Sequence, residues 1–355
     1  MKSPFPYFGG KSKAASLVWE RFGNPKNYVE PFAGSLAVLL ARPDEPRIET
    51  VNDLDGLLAN FWRAVSIDAE AVAMHADHPV NENDLHARHS WLVSHREEIT
   101  RQLEGDPDWF DSRAAGWWVW GISCWIGSGW CSGRGPWTVV EDEDGERRLL
   151  KSGKSSGLKN GVNRKLPHLG DAGQGVKRQL PHLCNAGQGV KRQRPHLGNA
   201  EGVNRNGDGR GLYAYFEALQ DRLRNVRVVS GDWTRVLGPS VTTKLGLTAV
   251  LLDPPYADTA GRDSNLYAKD SESVAHQVRE WAIANGDNPL LRIALCGYEG
   301  EHEMPDSWEV VAWKTGGGYD GQSRDASRIG VNRKKERIWF SPHCLSASEF
   351  RPQGT

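Results

Sequence analysis

The sequence predicts an α/β protein: a Rossmann-like, largely parallel sheet with helices on its faces, split by an inserted helical and irregular basic region. Three observations predict it. Short apolar runs alternate with amphipathic stretches in both flanks of the 355-residue chain, the pattern of successive strand–helix units. The middle abandons that pattern for glycine-rich, basic repeats. Three of the expected strands end in a turn that carries a glycine or a carboxylate, and open α/β sheets hold their ligands beyond the carboxyl ends of their strands.

The first unit is YVEPFAGSLAVLLARP from Tyr28: a short strand, a tight turn at residues 32–35, then an apolar stretch of helical character. RIETVNDLDGLLANFWRAV repeats the plan, with a strand to Val51, an acidic turn at Asn52 and Asp53, and a helix from about Leu54. Residues 81–126 read as mainly helical. SWLVSHREEITRQL is amphipathic, and SRAAGWWVWGISCWI is so apolar that its tryptophans belong to a core.

After Ile126 come the glycine-rich GSGWCSGRGPW and a repeat of period 14, LPHLGDAGQGVKRQ at 166–179, LPHLCNAGQGVKRQ at 180–193 and a decaying copy at 194–205. Three short, glycine-rich copies cannot bury a core alone, so the repeat reads as an expanded irregular loop within a larger fold. Duplication accounts for the spacing of His168, His182 and His196, and no metal site is expected there. Residues 147–210 hold fourteen Lys or Arg against three acids, although the whole chain has a formal net charge of −1. That asymmetry points to a polyanionic partner, most simply a phosphate backbone. The contacts expected are Arg164, Lys165, Lys177, Arg178, Lys191 and Arg192, joined by Arg333, Lys334 and Lys335 of a second basic cluster.

Regular structure then resumes. GLYAYFEALQDRLRNV is an amphipathic helix, RVVSGDW a strand with an acidic end, HQVREWAIANGDN a helix and LLRIALCGY a strand. WEVVAWKT and RKKERIWFS form a closing antiparallel pair. Between them TAVLLDPPY reads as a buried strand stopped by Pro254 and Pro255, since proline lacks the ladder N–H and drives its predecessor extended. The prolines leave Asp253 and an exposed Tyr256 ring on a rigid loop past the strand's carboxyl end.

Several chemistries fall away. No stretch approaches the roughly 20 apolar residues of a membrane span, and MKSPFPYFGGKSK lacks a signal-peptide apolar region, so a cytoplasmic protein without membrane partners is expected. The five cysteines include no Cys-x-x-Cys pair and read as free thiols. YFGGKS is no phosphate-binding P-loop, because Phe5 stands where that pattern needs glycine. The turn at Phe32-Ala33-Gly34-Ser35 is not Gly-x-Gly-x-x-Gly, so it does not indicate NAD. A glycine turn after one strand and an acid after the next nevertheless suit a nucleoside cofactor, the acid accepting ribose hydroxyls.

YFGGK, VEPFAGS, the acid of VNDLD, SGDW and LLDPPY occur in one order, and together they resemble the Dam-type, α-group DNA N6-adenine methyltransferases. The resemblance covers roughly 1–70 and 212–340. It implies a catalytic domain in two parts, 1–80 and 212–345, an inserted target-recognition region at 81–211 and a tail at 346–355. It further implies S-adenosylmethionine as cofactor, held by Tyr7, Lys11, Phe32, Gly34, Asp53, Asp232, Trp233 and Asp253. The partner would be duplex DNA, with no protein partner required and the chain acting as a monomer. Asp253 and the carbonyl of Pro254 would orient the amine of a flipped adenine, and Tyr256 would stack on it. The family's usual Phe-x-Gly-x-Gly becomes Phe32-Ala33-Gly34-Ser35-Leu36 here. Methylation of cytosine N4 uses the same amine geometry and is the rival chemistry. A catalytically inert DNA-binding module is the rival of another class.

Overall fold

The computed structural model describes residues 1–5, 7, 10–106, 108–125, 130–131, 137–141, 147–151, 210–256, 270–313 and 336–346, with the backbone alone at 137–141, 147–151, 210 and 270–273. In chain order the elements are α1 (Ala15–Phe22), β1 (Asn27–Glu30), β2 (Ile48–Asp53), α2 (Gly56–Ile67), α3 (Ala69–Ala76), α4 (Glu82–Gly105) and α5 (Ser112–Cys124). They continue with β3 (Trp137–Glu141), β4 (Arg147–Lys151), α6 (Arg210–Leu223), β5 (Val226–Ser230), β6 (Thr248–Leu252), α7 (Asp270–Asn285), β7 (Leu291–Tyr298), β8 (Glu309–Ala312) and β9 (Glu336–Phe340).

Seven strands form one mixed sheet in the order β5-β2-β1-β6-β7-β9-β8. The first five run parallel, and β9 is antiparallel to both β7 and β8. The α/β reading and the closing antiparallel pair are therefore correct. In the sequence of events along the chain, β1 is followed outward by β2 and later β5, whereas β6 lands on the other side of β1 and is followed by β7. The order reverses between β1 and β6, which makes their carboxyl ends the topological switch point of the sheet.

Alternation on the central strands explains why both faces are covered. Ala249 and Leu251 of β6, Ala294 and Cys296 of β7, and Ile338 and Phe340 of β9 join one core, built with α1 to α6. Val250 and Leu252, Ile293 and Leu295, and Trp339 point the other way, into a second core with Val278 and Ala282 of α7. A strand buried on both sides reads as a continuous apolar run rather than as hydrophobic–polar alternation, and all five residues of β6 are buried. Trp118 and Trp120 of α5 are buried in the first core, as their sequence context predicts.

Two expectations need correction. The apolar stretch after the first glycine turn is no α-helix; it contains a single 3₁₀ turn at Leu39–Ala41. Leu36 sits at φ +52°, a left-handed conformation that cannot open a right-handed helix, and Pro43 follows closely. The side chains of Leu36, Val38, Leu39 and Leu40 are all buried, so core packing holds the segment in its irregular path. The inserted region, expected to be helical and irregular, also contains an antiparallel pair of β3 and β4 with Glu141 opposite Arg147.

Glu49 of β2 anchors the outer strands. Its side chain is 1% exposed and accepts from Arg42 Nη1 at 3.0 Å and from Arg222 of α6, Nη1 at 2.6 Å and Nη2 at 3.0 Å. Removing the carboxylate leaves two guanidiniums without their counter-charge. Glu49→Ala is expected to lower unfolding free energy by about 3–5 kcal/mol, read from the midpoint of urea unfolding.

Candidate active site

Four turns meet the carboxyl edge of the sheet, and the backbone of three of them, after β1, β2 and β5, is tied together before any side chain is considered. Ala33 N–H, in the turn after β1, donates to Asn52 O at 2.8 Å, and Gly231 N–H, after β5, donates to Asp53 O at 3.1 Å. The buried Asn52 side chain completes the frame by donating to Pro31 O at 3.0 Å and Gly231 O at 2.9 Å. The ends of β1, β2 and β5 thus form one rigid rim.

Asp53 closes β2 on that rim. Its Oδ2 accepts from Gly34 N–H at 3.0 Å and its Oδ1 from Asp55 N–H at 2.9 Å. Burial pushes its pKa up to about 6, against the pull of those two N–H groups; the neighbouring Asp55 carboxylate raises it further and the Arg96 guanidinium lowers it. Gly34 has φ +47°, and a Cβ there would come within 3.0 Å of the Tyr7 ring. The position therefore needs glycine on two counts, backbone conformation and the close approach of Tyr7. Gly34 O also accepts from the Trp62 indole at 3.0 Å. Leu36 holds a left-handed conformation where the motif usually has its second glycine. The substitution keeps the glycine-like backbone at a cost of about 1–3 kcal/mol and anchors it through a fully buried side chain.

Beside this turn Phe32 faces Trp233 with the ring planes 25° apart and centroids 6.3 Å apart. Trp233 opens the 3₁₀ turn Trp233–Val236 after β5, and Asp232 caps that turn by accepting from Thr234 N–H at 3.0 Å. Asp232 itself is exposed.

The other half of the site lies past β6. Asp253 forms an ion pair with Lys11 at 2.9 Å; the lysine side chain is 4% exposed and the carboxylate 23%. Burial alone would lower the Lys11 pKa, but Asp253, with Cys296 and Glu336, reverses that and raises it. A buried ammonium is thereby committed to its charged form beside Asp253. Its Nζ also lies 5.2 Å from the centroid of Tyr256 and 5.6 Å from that of Trp313. Tyr256 is buried rather than exposed, packed edge-on against Tyr298 with centroids 4.7 Å apart. Glu30, at the end of β1, accepts from the Tyr28 hydroxyl at 2.9 Å, and burial pushes its pKa up to about 8. The upward shift favours its neutral form and so reduces the negative charge next to Asp253.

The N-terminal segment joins the two halves. Tyr7 lies against Gly34, Lys11 reaches Asp253, and Gly10 N–H donates to Tyr7 O at 3.2 Å between them. Tyr7, Lys11, Phe32, Gly34, Asp53, Asp232, Trp233, Asp253, Pro254 and Tyr256 thus all belong to turns or segments at one sheet edge. Arg164, Lys165, Lys177, Arg178, Lys191, Arg192, Arg333, Lys334 and Lys335 lie outside the described residues, as do the 14-residue repeats. Sequence reasoning missed Asn52, whose side chain ties the rim, although it stands directly before the acid of VNDLD. It also missed Tyr298 and Trp313, which close the wall around Lys11 and carry no local signal beyond ending an apolar strand.

Among the described residues no helix is long and apolar enough to cross a membrane. Comparison with known families matches residues 7–104 to the model described as D12 class N6 adenine-specific DNA methyltransferase. No curated protein matches the chain. The matched segment holds Tyr7, Lys11, the Phe32–Gly34 turn and Asp53, and over that segment the resemblance read from the motifs holds.

Proposed function

We propose that this chain, whose residues 7–104 match the D12 class N6 adenine-specific DNA methyltransferase model, methylates adenine N6 in duplex DNA with S-adenosylmethionine after flipping the base out of the helix. The observation that carries the reading is the ion pair, at 2.9 Å, between the buried Lys11 ammonium of the N-terminal segment and Asp253 on the loop past β6, at the switch point of the sheet.

The residues of the rim suit the cofactor. Each oxygen of Asp53 holds one backbone N–H and keeps a lone pair for a ribose hydroxyl. Phe32 and Trp233 offer aromatic faces for the adenine moiety, Gly34 lets the ligand approach the backbone, and Tyr7, Lys11 and Asp232 border the same edge. When bound, S-adenosylmethionine supplies an electrophilic methyl group carried on a sulfonium sulfur.

The chain's own task is to make a poor nucleophile react. The lone pair of an exocyclic amine is conjugated into the ring, so the amine must be turned and its N–H groups held by acceptors. The Asp253 carboxylate and the Pro254 carbonyl are those acceptors, fixed by the two prolines, and they stabilise the positive charge that develops on nitrogen. Lys11 donates to Oδ1 of Asp253 and holds the carboxylate in place, which leaves Oδ2 to accept from the amine. Tyr256 supplies the aromatic face for the flipped base. An aspartate at 253 and the family match both favour adenine over cytosine N4.

The target-recognition region is assigned to residues 81–211, between catalytic parts at 1–80 and 212–345. Its basic side chains, with Arg333, Lys334 and Lys335, hold phosphates; base edges are read by other groups of the same region. Long-read sequencing of DNA from cells expressing the protein tests the whole reading. N6-methyladenine at a fixed motif is expected; N4-methylcytosine would transfer the assignment to the rival chemistry, and unmodified DNA would reject methylation.

Asp53 gives the cofactor site a pH dependence. Ribose hydroxyls donate to the ionised carboxylate, whose pKa is raised to about 6, so binding is complete above that pH and weakens as pH falls through it. The dissociation constant for S-adenosylmethionine is expected to rise by up to about tenfold per pH unit below pH 6. In calorimetric titrations Asp53→Asn should bind more weakly at pH 7.5 and lose that acid limb.

A further inference from the structure

We propose that Trp313 is a substrate-binding residue: its indole N–H donates a hydrogen bond to a ring nitrogen of the flipped adenine. The proposal rests on the methyltransferase reading above and goes beyond the motifs that carry it.

Trp313 stands one residue past β8, and its backbone N–H donates to Glu336 O at 3.3 Å. Glu336 opens β9 opposite Tyr298, the last residue of β7. The strand pairing therefore sets Trp313 at the carboxyl edge beside Tyr298 and Tyr256. The Lys11 ammonium confirms the placement, since it lies 5.6 Å from the Trp313 ring, 5.2 Å from the Tyr256 ring and 2.9 Å from Asp253 Oδ1.

Trp313 is 8% exposed, and its Nε1 has no hydrogen-bond partner among the described residues. A buried indole N–H ordinarily finds an acceptor, because leaving it unmade forfeits its hydration. Here the ring that carries the orphan lies 5.6 Å from the Lys11 ammonium, which is paired with Asp253. Its demand is for an acceptor, and adenine has three in its ring, N1, N3 and N7. The pocket then matches both characters of the base. Asp253 and Pro254 accept from the amine, and Trp313 donates to the ring.

The alternative role for Trp313 is that of a wall, its face merely holding the Lys11 cation. Phenylalanine keeps an aromatic face and removes only the donor, so Trp313→Phe separates the two. The substrates are duplexes carrying adenine, 1-deazaadenine, 3-deazaadenine or 7-deazaadenine at the target position. On adenine, Trp313→Phe should lower kcat/KM about fivefold to tenfold with the KM for S-adenosylmethionine unchanged. On one of the three analogues the wild type should lose activity and Trp313→Phe should cost nothing more, because the acceptor is already gone. Unchanged activity of Trp313→Phe on adenine, or an equal loss on every analogue, would overturn the proposal. Absence of methylation by the wild type on adenine would instead overturn the functional reading, and this proposal with it.

Discussion

Asp253→Asn is expected to slow methyl transfer by about 10²–10³-fold, the scale on which single electrostatic contacts to a developing charge act, while leaving DNA binding in place. Asparagine keeps the shape and one acceptor oxygen, but its NH₂ presents donors where the target amine and the Lys11 ammonium both need an acceptor. Single-turnover rates with saturating DNA and cofactor isolate this effect from binding. Asp253→Ala is the harsher change, because it strips Lys11 of its partner in a site where the lysine is 4% exposed. An asparagine variant that methylates at the wild-type rate would remove Asp253 from the chemistry.

Lys11→Met carries the second large effect, and its origin is structural before it is catalytic. The ion pair joins a buried ammonium from the N-terminal segment to the loop after β6, elements distant in sequence. Breaking such a pair from one side costs about 3–5 kcal/mol when both charges are buried; the partial exposure of Asp253 places this one near the lower end. Lys11→Met should therefore lower the thermal midpoint and reduce activity together, since the N-terminal segment also seats Tyr7 against Gly34. The double variant Lys11→Met, Asp253→Asn should be more stable than the sum of the two single losses predicts, because each change removes the reason the other hurts. Additive losses would show that the two groups do not interact.

The sheet was legible where chemistry is local. Strand β6 declares itself in TAVLLDPPY, since an apolar run stopped by two prolines has few other conformations, and Asp53 and Gly34 follow from a strand end and a tight turn. The region 137–151 was equally legible and passed over: WTVVEDEDGERRLLK places Asp144-Gly145 between residues that pair as β3 and β4, a strong short-range hairpin signal.

Other features were beyond a local reading. Leu36 looks like the start of a helix in sequence, and only the packed core explains why it adopts φ +52° instead. Lys11 is singled out in the sequence only by the resemblance, and its partner is visible only in the fold, which buries it against Asp253, 242 positions away by their numbers. Tyr256 reads as exposed because prolines precede it, yet Tyr298 and Trp313, contributed by later strands, close over the same site. Each of these depends on which strand ends the sheet sets side by side, information that the order of strands holds and a single stretch of sequence does not.

The most direct test of the central claim follows one methyl group. Purified protein is incubated with duplex DNA and S-adenosylmethionine carrying an isotopically labelled methyl, and the digested nucleosides are weighed by mass spectrometry for the wild type and for Asp253→Asn. The account predicts label on N6 of deoxyadenosine with the wild type and its near-complete loss in the variant at equal DNA binding. Label on cytosine N4, or bound DNA with no label on any base, would contradict it.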